Sequence, residues 1–352
     1  MRGRCEGGDV TGADLTGSDV TGGDVRGAPD RAAIEAAAAR LKGQAVVTPL
    51  LSSPFLDEVA GRPVYVKAEC LQKTGSFKFR GAWSAVSALP EGVRGVIACS
   101  SGNHAQGVAL AARMRGLPAV IVMPDDAPRT KRENTAALGA EVVLHDRTRE
   151  DRDALTERLA AERGLHLVRP FDDADVIAGQ GTCGLEIAVQ AEAAGVSTGT
   201  VLTCCGGGGL TAGIALALEA RAPALTVRPV EPAGYDDTAR SLAAGAILRN
   251  EEVPTSICDA ILTPAPGRLT FPVMRRLCGP GLAVTDDEAG RAMAAAFSRL
   301  KLVLEPGGAV ALAAALFRGE ALAPGPVIVT ASGGNVDAAL FAEVLGRYGE
   351  AP

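Results

Sequence analysis

The sequence predicts an α/β fold in which helices cover a mostly parallel sheet. Short β-branched runs alternate with Ala- and Leu-rich runs of helical length, and glycine-rich turns follow several of the strand-like runs. Strands that alternate with helices in this way form right-handed βαβ units and parallel sheets. Because such sheets bind ligands at the carboxyl ends of their strands, the glycine-rich turns predict the position of a functional site.

The first 27 residues differ in texture from the rest of the chain. Residues 6–27 contain the five-residue near-repeat GDVTG ADLTG SDVTG GDVRG. Four such copies cannot bury a core, so residues 1–27 are predicted to be a disordered, Gly- and Asp-rich leader. A wrongly assigned start codon would give the same appearance.

Strand-like and helix-like runs alternate after an Ala-rich helical segment that starts at about residue 29. The candidate buried strands are 64–68, 95–99, 119–123, 140–145, 166–170, 200–204, 226–231 and 326–331. The helical stretches between them include 103–115, 129–138, 150–163, 181–194 and 209–220.

Composition excludes several classes of function. The net charge is −6 and no basic stripe is present, which argues against a nucleic-acid partner. No apolar run reaches the roughly 18 residues of a membrane span, and the start lacks the apolar core of a signal peptide, so we expect a cytoplasmic protein without a membrane partner. The eight cysteines form no C-x-x-C pair, and the three histidines form no H-E-x-x-H, which leaves a small-molecule substrate as the best expectation.

The segment KTGSFKFRGA, residues 73–82, follows the first candidate strand and opens a helix that runs toward Leu89. An ammonium at Lys78, in or near the first turn, opposes the positive end of the helix dipole. This favours the neutral amine, which is the form that attacks an aldehyde. Taken alone, a solvated lysine in a capped helix explains the pattern better.

The segment ACSSGNHAQG contains a second turn between a strand and a helix. Ser100, Ser101, Gly102 and Asn103 offer backbone N–H, hydroxyl and amide donors, which are the groups that bind a carboxylate. A simple N-cap with a tight turn is the structural alternative.

Two further glycine turns follow candidate strands. In TCCGGGGLTAG, residues 203–213, four successive glycines let the backbone approach a small anion at a helix N-terminus. This pattern fits the dinucleotide fingerprint only loosely, although Glu231 at the end of strand 226–231 keeps a nicotinamide alternative open. In TASGGNVD, residues 330–337, the Ser332 hydroxyl at a strand end is suited to a pyridine nitrogen, or the segment is a plain turn.

The motifs together resemble the fold-type II pyridoxal-phosphate enzymes, most closely their threonine/serine dehydratase (threonine ammonia-lyase) and serine racemase branch. The resemblance covers about residues 30–350. Its motifs occur in the family's order and are TGSFKFRGA, SSGNHAQG, VIAGQGT, GGGGL, EPGGAVALAA and SGGNVD. It implies a tryptophan synthase β-like fold with two open, twisted, mostly parallel sheets, flanking helices, and pyridoxal 5′-phosphate in the cleft between two domains.

The resemblance also implies roles for individual residues. Lys78 would hold the cofactor as a Schiff base and then act as the base at the substrate Cα. Ser101 would be the catalytic group on the opposite face in racemase-like chemistry. The implied cofactor-binding residues are Phe77, Lys78, Asn103, Gly206, Gly207, Gly208, Gly209, Leu210 and Ser332, and the implied substrate-binding residues are Ser100, Ser101, Asn103 and His104.

The segment EPAGYDDT, residues 231–238, is similar to the family's divalent-cation site. By this resemblance Glu231 and Asp237 would supply carboxylate oxygens and Tyr235 a backbone carbonyl to Mg²⁺ or Ca²⁺. The alternative is a charged, solvated loop after a strand.

The expected activity is β-elimination from L-threonine or L-serine, which yields 2-oxobutyrate or pyruvate and ammonia. Serine racemase and 3-hydroxyaspartate dehydratase are alternatives within the family, because they share the whole set of motifs. From other classes, a nicotinamide-dependent dehydrogenase and a catalytically silent cofactor-binding protein remain to be distinguished.

The domain organisation follows from the same resemblance. We expect a large cofactor-binding domain formed by residues 28–94 and 171–352, and a small mobile domain formed by residues 95–170. A homodimer is expected by resemblance only.

Overall fold

The computed structural model describes residues 27–127, 129–146, 148–251 and 255–349. The predicted leader at 1–27 lies outside these ranges except for Gly27. Within them the chain forms two separate sheets with helices around them, which confirms the predicted fold class. None of the helices in the described ranges is both long and apolar enough to cross a membrane.

The larger sheet has six strands in the order β1, β2, β10, β7, β8, β9. All neighbours in it are parallel except β1 and β2, which pair antiparallel. The strands are β1 (Leu50–Ser52), β2 (Val64–Lys67), β7 (Gly199–Cys204), β8 (Leu225–Pro232), β9 (Leu282–Val284) and β10 (Val327–Thr330).

The smaller sheet has four parallel strands in the order β5, β4, β3, β6. They are β3 (Val96–Cys99), β4 (Ala119–Pro124), β5 (Glu141–His145) and β6 (His166–Leu167). All four lie inside the segment 95–170 that was predicted as a small domain. The division into two domains that move separately stays a prediction.

Thirteen helices within the described residues surround and connect the sheets. They are α1 (Arg31–Leu41), α2 (Pro54–Ala60), α3 (Lys78–Ala88), α4 (Asn103–Arg115), α5 (Arg129–Ala137), α6 (Arg152–Arg163), α7 (Ala174–Ala193), α8 (Gly209–Arg221), α9 (Asp237–Ala244), α10 (Thr270–Leu277), α11 (Asp286–Ala295), α12 (Pro306–Phe317) and α13 (Ala338–Tyr348). Short helical turns add Glu69–Leu71, Lys73–Gly75, Asp259–Ile261, Ala296–Leu300 and Gly319–Ala321.

Local chemistry explains where the site-bearing elements begin and end. The carboxylate of Asp173 accepts a hydrogen bond from the Val176 N–H, so α7 begins at Ala174, seven residues before the predicted start. The predicted strand 166–170 pairs only at His166–Leu167. Pro170, which has no N–H to give to a ladder, instead offers its carbonyl to the site described below.

Two strands and several helices were not predicted. The strands β1 and β9 have only three residues each and lie at the two edges of the larger sheet, where pairing rather than a hydrophobic run defines them. The helix α12 is buried on nearly every residue and packs on strands β7, β8, β9 and β10. A helix enclosed in this way has no polar face to reveal its period in the sequence.

Candidate active site

Lys78 is the first residue of α3, at the place where the sequence predicted it. Its Nζ donates a hydrogen bond to the Pro170 carbonyl at 2.8 Å and lies 5.1 Å from the centre of the Phe77 ring. The residue is half-buried, but protein surrounds the amine, and this desolvation lowers the pKa of Lys78 to about 8, with Glu305 acting in the opposite direction. Near neutral pH a useful fraction of this amine is therefore uncharged and able to act as a nucleophile or base.

The glycine loop and Lys78 are joined through two consecutive residues. Pro170 binds the Lys78 amine, and the next residue, Phe171, packs against the glycines. A Cβ atom on Gly207 would collide with the Phe171 ring, and one on Gly209 would press on the Phe171 backbone. Gly207 therefore has no room for a side chain and Gly209 has little, so the lysine and the loop belong to one site.

The loop itself opens the helix α8. Gly208 is the N-cap, with a φ of 89° in the left-handed region, and Leu210 is the second helical residue. The Gly207 carbonyl accepts hydrogen bonds from the Thr270 hydroxyl at 2.6 Å and from the Gly267 N–H at 3.1 Å. A helix N-terminus reached through a backbone without side chains is a site for a small anion such as a phosphate.

Cys204 and Cys205 lead into the glycine loop and are both buried. Burial raises the pKa of each thiol, and Cys204 contacts the carbonyls of Thr330 and Gly308. The two residues therefore act as small, unreactive apolar groups at the end of β7.

Ser332 lies directly beside the turn that carries Lys78. Its carbonyl accepts a hydrogen bond from the Phe77 N–H at 3.0 Å, and Ser76 forms an isolated bridge with Gly333. The residue is buried, and a hydrogen bond connects its side chain with the Cys204 thiol. The structure thus places the predicted turn of residues 330–337 against that of residues 73–82.

Asn103, the first residue of α4, connects the smaller sheet to the larger one. Its Nδ2 donates to Glu305 Oε1 at 2.5 Å, and its Oδ1 accepts from Asn335 Nδ2 at 2.7 Å. Sequence reasoning did not select Glu305 or Asn335, although each lies in a motif that it quoted. A buried acid at the start of a helix could have been found as an unusual feature of the apolar segment EPGGAVALAA.

Ser100 and Ser101 line a cavity of about 220 Å³ at the carboxyl ends of the smaller sheet, which also includes His145, Glu150 and Arg152. The Ser100 hydroxyl accepts a hydrogen bond from the Gly102 N–H at 3.2 Å. His145 is 3% exposed, and its Nδ1 is buried without a hydrogen-bond partner among the described residues. Sequence reasoning missed His145 and Arg152, because only the parallel packing of β3 and β5 around β4 places them beside the serines.

His104 lies deeper than a substrate-binding role suggests. It is buried, and its Nε2 pairs with the Val168 carbonyl at 2.9 Å. Burial and the nearby Lys78 lower the pKa of this imidazole to about 3, so it is neutral at physiological pH. Its contribution to carboxylate binding stays a prediction.

The predicted cation site contains two buried carboxyl groups. Both oxygens of Glu231 accept backbone N–H groups at the start of α9, from Thr238 at 2.9 Å and Ala239 at 2.8 Å. Burial and the neighbouring Asp237 raise the pKa of Glu231 to about 8, and burial raises that of Asp237 to about 6. No group of three or more His, Cys, Asp or Glu side chains suited to a metal ion occurs in the described ranges. That absence concerns side chains, whereas the ligand predicted at Tyr235 is a backbone carbonyl. The metal site therefore stays a prediction.

The residues around Lys78 fit pyridoxal phosphate. An amine of lowered pKa, a glycine-lined helix N-terminus and a buried serine at a strand end are the groups that an aldehyde, a phosphate and a pyridine nitrogen require. The loop that a Cβ atom would obstruct is the strongest part of this fit. Site and architecture together define the fold-type II class of pyridoxal-phosphate enzymes.

Comparison with known proteins identifies the family. A family model described as pyridoxal-phosphate dependent enzyme matches residues 41–333. The chain belongs to this family, and it is an enzyme of the branch that contains ammonia-lyases and racemases. The nicotinamide alternative loses its support, because the Glu231 carboxylate that suggested it is bound to the start of α9.

Individual relatives agree with the family. The chain is 43% identical over 315 residues to an L-threo-3-hydroxyaspartate ammonia-lyase of Pseudomonas sp., covering 88% of this chain and 96% of the relative. It is 39% identical to a serine racemase of Oryza sativa subsp. indica, covering 87% and 91%. Among solved structures it resembles maize serine racemase with a TM-score of 0.83 and 36% identity, covering 91% and 98%. A solved threonine deaminase gives a TM-score of 0.84 and 46% identity, covering 88% and 99%.

Proposed function

We propose that the protein removes the β-hydroxyl group of a β-hydroxy amino acid as water, and that hydrolysis of the released enamine takes up one water and frees ammonia. The substrates are L-threonine and L-serine, and the products are 2-oxobutyrate and pyruvate. The observation that carries this proposal is the Lys78 amine, which has a lowered pKa and is tied through Pro170 and Phe171 to the glycine loop. Bound pyridoxal phosphate supplies an electron sink for the pair of electrons released when the Cα–H bond breaks.

The chain's own residues bind and orient the substrate. The turn from Ser100 to Asn103 offers hydroxyl and backbone N–H donors to the α-carboxylate. The Lys78 amine, neutral in part near pH 8, accepts the proton from Cα. The phosphate would be held by Gly206, Gly207, Gly208, Gly209 and Leu210. Asn103 and Ser332 would bind the ring, and Phe77 would flank it. Ser101 would act on the face opposite Lys78.

The primary test compares two lysines of the same segment. Lys78→Ala should abolish covalent attachment of the cofactor, seen as loss of the visible absorption band, and should lower turnover of L-threonine by several orders of magnitude. Lys73→Ala, five residues earlier, is the matched control and should retain both. If Lys78→Ala kept the band and the activity, or the wild type stayed colourless with added pyridoxal phosphate, the proposal would be wrong.

A second candidate substrate is 3-hydroxyaspartate, and the cavity beside Ser100 and Ser101 favours it. The exposed guanidinium of Arg152 is suited to a second carboxylate, and so is the buried Nδ1 of His145, which has no hydrogen-bond partner among the described residues. The relative with 43% identity carries this substrate in its name.

One substitution separates the candidates. Arg152→Met should lower kcat/KM for L-threo-3-hydroxyaspartate at least about tenfold and leave that for L-threonine unchanged, since one charge-assisted hydrogen bond is worth ~1.5–3 kcal/mol. Arg158→Met, on the same helix and 61% exposed, is the control. Equal effects on both substrates would exclude this cavity as the discriminating subsite.

Serine racemization is the remaining alternative within the family, and a substitution at Ser101 tests it. Ser101→Ala should abolish formation of D-serine while pyruvate formation from L-serine continues. Absence of D-serine from the wild-type reaction would remove this alternative.

A divalent cation, a homodimer and a cytoplasmic location complete the proposal. The buried Asp237 Oδ2, which has no hydrogen-bond partner among the described residues, supports Mg²⁺ or Ca²⁺ near Glu231 and Tyr235. The dimer and the location rest on resemblance and composition, and size-exclusion chromatography with light scattering tests the dimer.

A further inference from the structure

Three side chains form a continuous hydrogen-bonded chain across the gap between the two sheets. Asn335 Nδ2 donates to the Thr74 carbonyl and to Asn103 Oδ1, each at 2.7 Å. Asn103 Nδ2 in turn donates to Glu305 Oε1 at 2.5 Å. Thr74 has a φ of 60°, in the left-handed region, just before the turn that carries Lys78.

The two ends of this chain determine the orientation of both amides. The Thr74 carbonyl can only accept, so Asn335 must direct Nδ2 toward it. The second hydrogen on that nitrogen then faces Asn103, which must present Oδ1. At the other end Glu305 Oε1 accepts from Asn103 Nδ2, and the ionised form of this carboxyl group, which that hydrogen bond favours, can only accept. Both ends therefore demand the same orientation of the Asn103 amide.

Glu305 has Asn103 as the sole hydrogen-bond donor to its side chain within the described ranges. It precedes α12 at the N-cap position, yet its side chain makes no capping hydrogen bond to that helix. The carboxyl group is 3% exposed and lies against Gly333, where a Cβ atom would collide with Oε1. Burial raises the pKa of Glu305 to about 7, while the hydrogen bond from Asn103 favours the ionised form. A buried carboxyl group that caps no helix and binds one amide costs folding stability. We therefore expect that its function is to hold that amide.

We propose that Glu305 and Asn335 are positioning residues that lock the Asn103 amide, so that its second N–H faces the phenolic oxygen of bound pyridoxal phosphate. This inference rests on the proposed function, because Asn103 is the predicted ligand of that oxygen. An amide free to turn over would present its carbonyl to the phenolic oxygen half of the time and repel it.

The test measures the affinity of the apo-protein for pyridoxal phosphate and the absorption maximum of the bound cofactor. Glu305→Ala and Asn335→Ala should each weaken cofactor binding in part, since one restraint on the Asn103 amide remains. The double variant should raise the dissociation constant about tenfold and shift the maximum, because neither end then holds the bond to the phenolic oxygen. Glu305→Gln, which keeps an acceptor, should recover most of the affinity. Thr285→Ala removes the capping box of the distant helix α11 and controls for lost stability, with a lower Tm and an unchanged spectrum.

A double-substitution cycle distinguishes positioning from general damage. If Glu305 acts through Asn103, the variant Asn103→Ala/Glu305→Ala should bind the cofactor no more weakly than Asn103→Ala alone. Additive losses, or a Glu305→Gln variant as weak as Glu305→Ala, would overturn the inference. Failure of the proposed function looks different, because the wild-type protein itself would then bind no cofactor.

Discussion

The two sides of helix α3 handle buried charge in opposite ways. Lys78 and Arg80 are two residues apart, so their side chains leave the helix on nearly opposite faces. Arg80 is 1% exposed, and ionic partners raise its pKa well above the ordinary value, although burial alone would lower it. Lys78 has one carbonyl as its hydrogen-bond partner, and burial lowers its pKa to about 8.

On the Arg80 side of α3, four charged residues form one hydrogen-bonded network: Lys67, Glu69, Arg80 and Glu186. The guanidinium binds Glu69 through two nitrogens, at 2.7 and 2.8 Å, and Glu186 at 2.7 and 2.8 Å. Lys67 joins Glu186 at 2.5 Å and the Thr48 carbonyl at 2.7 Å. Two cations thus neutralise two carboxylates, and the pKa of Glu69 stays low, although burial alone would raise it.

The difference shows that pairing, more than desolvation, decides whether a buried ionisable group serves stability or chemistry. The paired network ties α3 to α7 and to the segment around Glu69, so it holds the helix in place. The Lys78 amine on the opposite side has no ion-pair partner at hydrogen-bonding distance among the described residues, and a larger share of it is neutral near pH 7 than of an ordinary lysine. Helix α3 is therefore anchored on its Arg80 side and carries the Lys78 amine on the other side.

The largest expected effect comes from breaking the paired side. Arg80→Met should lower the free energy of unfolding by about 3–5 kcal/mol, because it removes the cation paired with the buried Glu69 and leaves Lys67 as the remaining cation of the network. Lys78→Met, the matched change on the other side, should leave that free energy unchanged or raise it, since it removes an unpaired desolvated amine. Urea unfolding of the apo-proteins at pH 7 measures both, and a reversed order would contradict the comparison.

A smaller effect is expected at Glu231 and Asp237, two neighbouring carboxyl groups whose pKa values burial raises. The folded-state pKa of Glu231, about 8, lies above its ordinary value of 4.5, so ionisation costs stability as pH rises from about 4.5 to 8. Glu231→Gln should remove much of this slope. Mg²⁺ or Ca²⁺ should raise Tm of the wild type more at pH 8 than at pH 5.

The control for that prediction is the variant itself. Thermal unfolding of Glu231→Gln should respond to either cation equally weakly at both pH values. A wild type whose Tm does not change with cation at pH 8 would argue against the predicted metal site.

The smallest effect is expected from a pair at the surface. Lys131 and Asp259 meet at 2.8 Å and connect α5, beside the smaller sheet, with the turn Asp259–Ile261 near the glycine loop. Asp259 is 58% exposed, so Lys131→Met should cost no more than about 1 kcal/mol, and 1 M salt should remove most of that cost. A loss above about 2 kcal/mol would mean that exposure does not weaken pairing here.

The motifs could be placed from the sequence because each one is local. A glycine run between a β-branched strand and a helix predicts an anion site from a few residues, and Lys78 was selected by the resemblance of the short motif TGSFKFRGA to those of a family. The strand limits were close for the same reason, as Ala119–Pro124 and Gly199–Cys204 show. The three-residue strands β1 and β9 were missed, because their partners and not their own residues make them strands.

The amino-acid sequence by itself determined the α/β class and the order of the glycine turns, since these depend on propensities and periodicities within a few residues, and its motifs selected Lys78 by their resemblance to a family. Only the tertiary structure decided the partners: Pro170 for Lys78, Glu305 and Asn335 for Asn103, and His145 with Arg152 beside Ser100. Those contacts join residues between about 40 and 230 positions apart, and their burial and pairing depend on how two sheets meet. No local pattern carries that information.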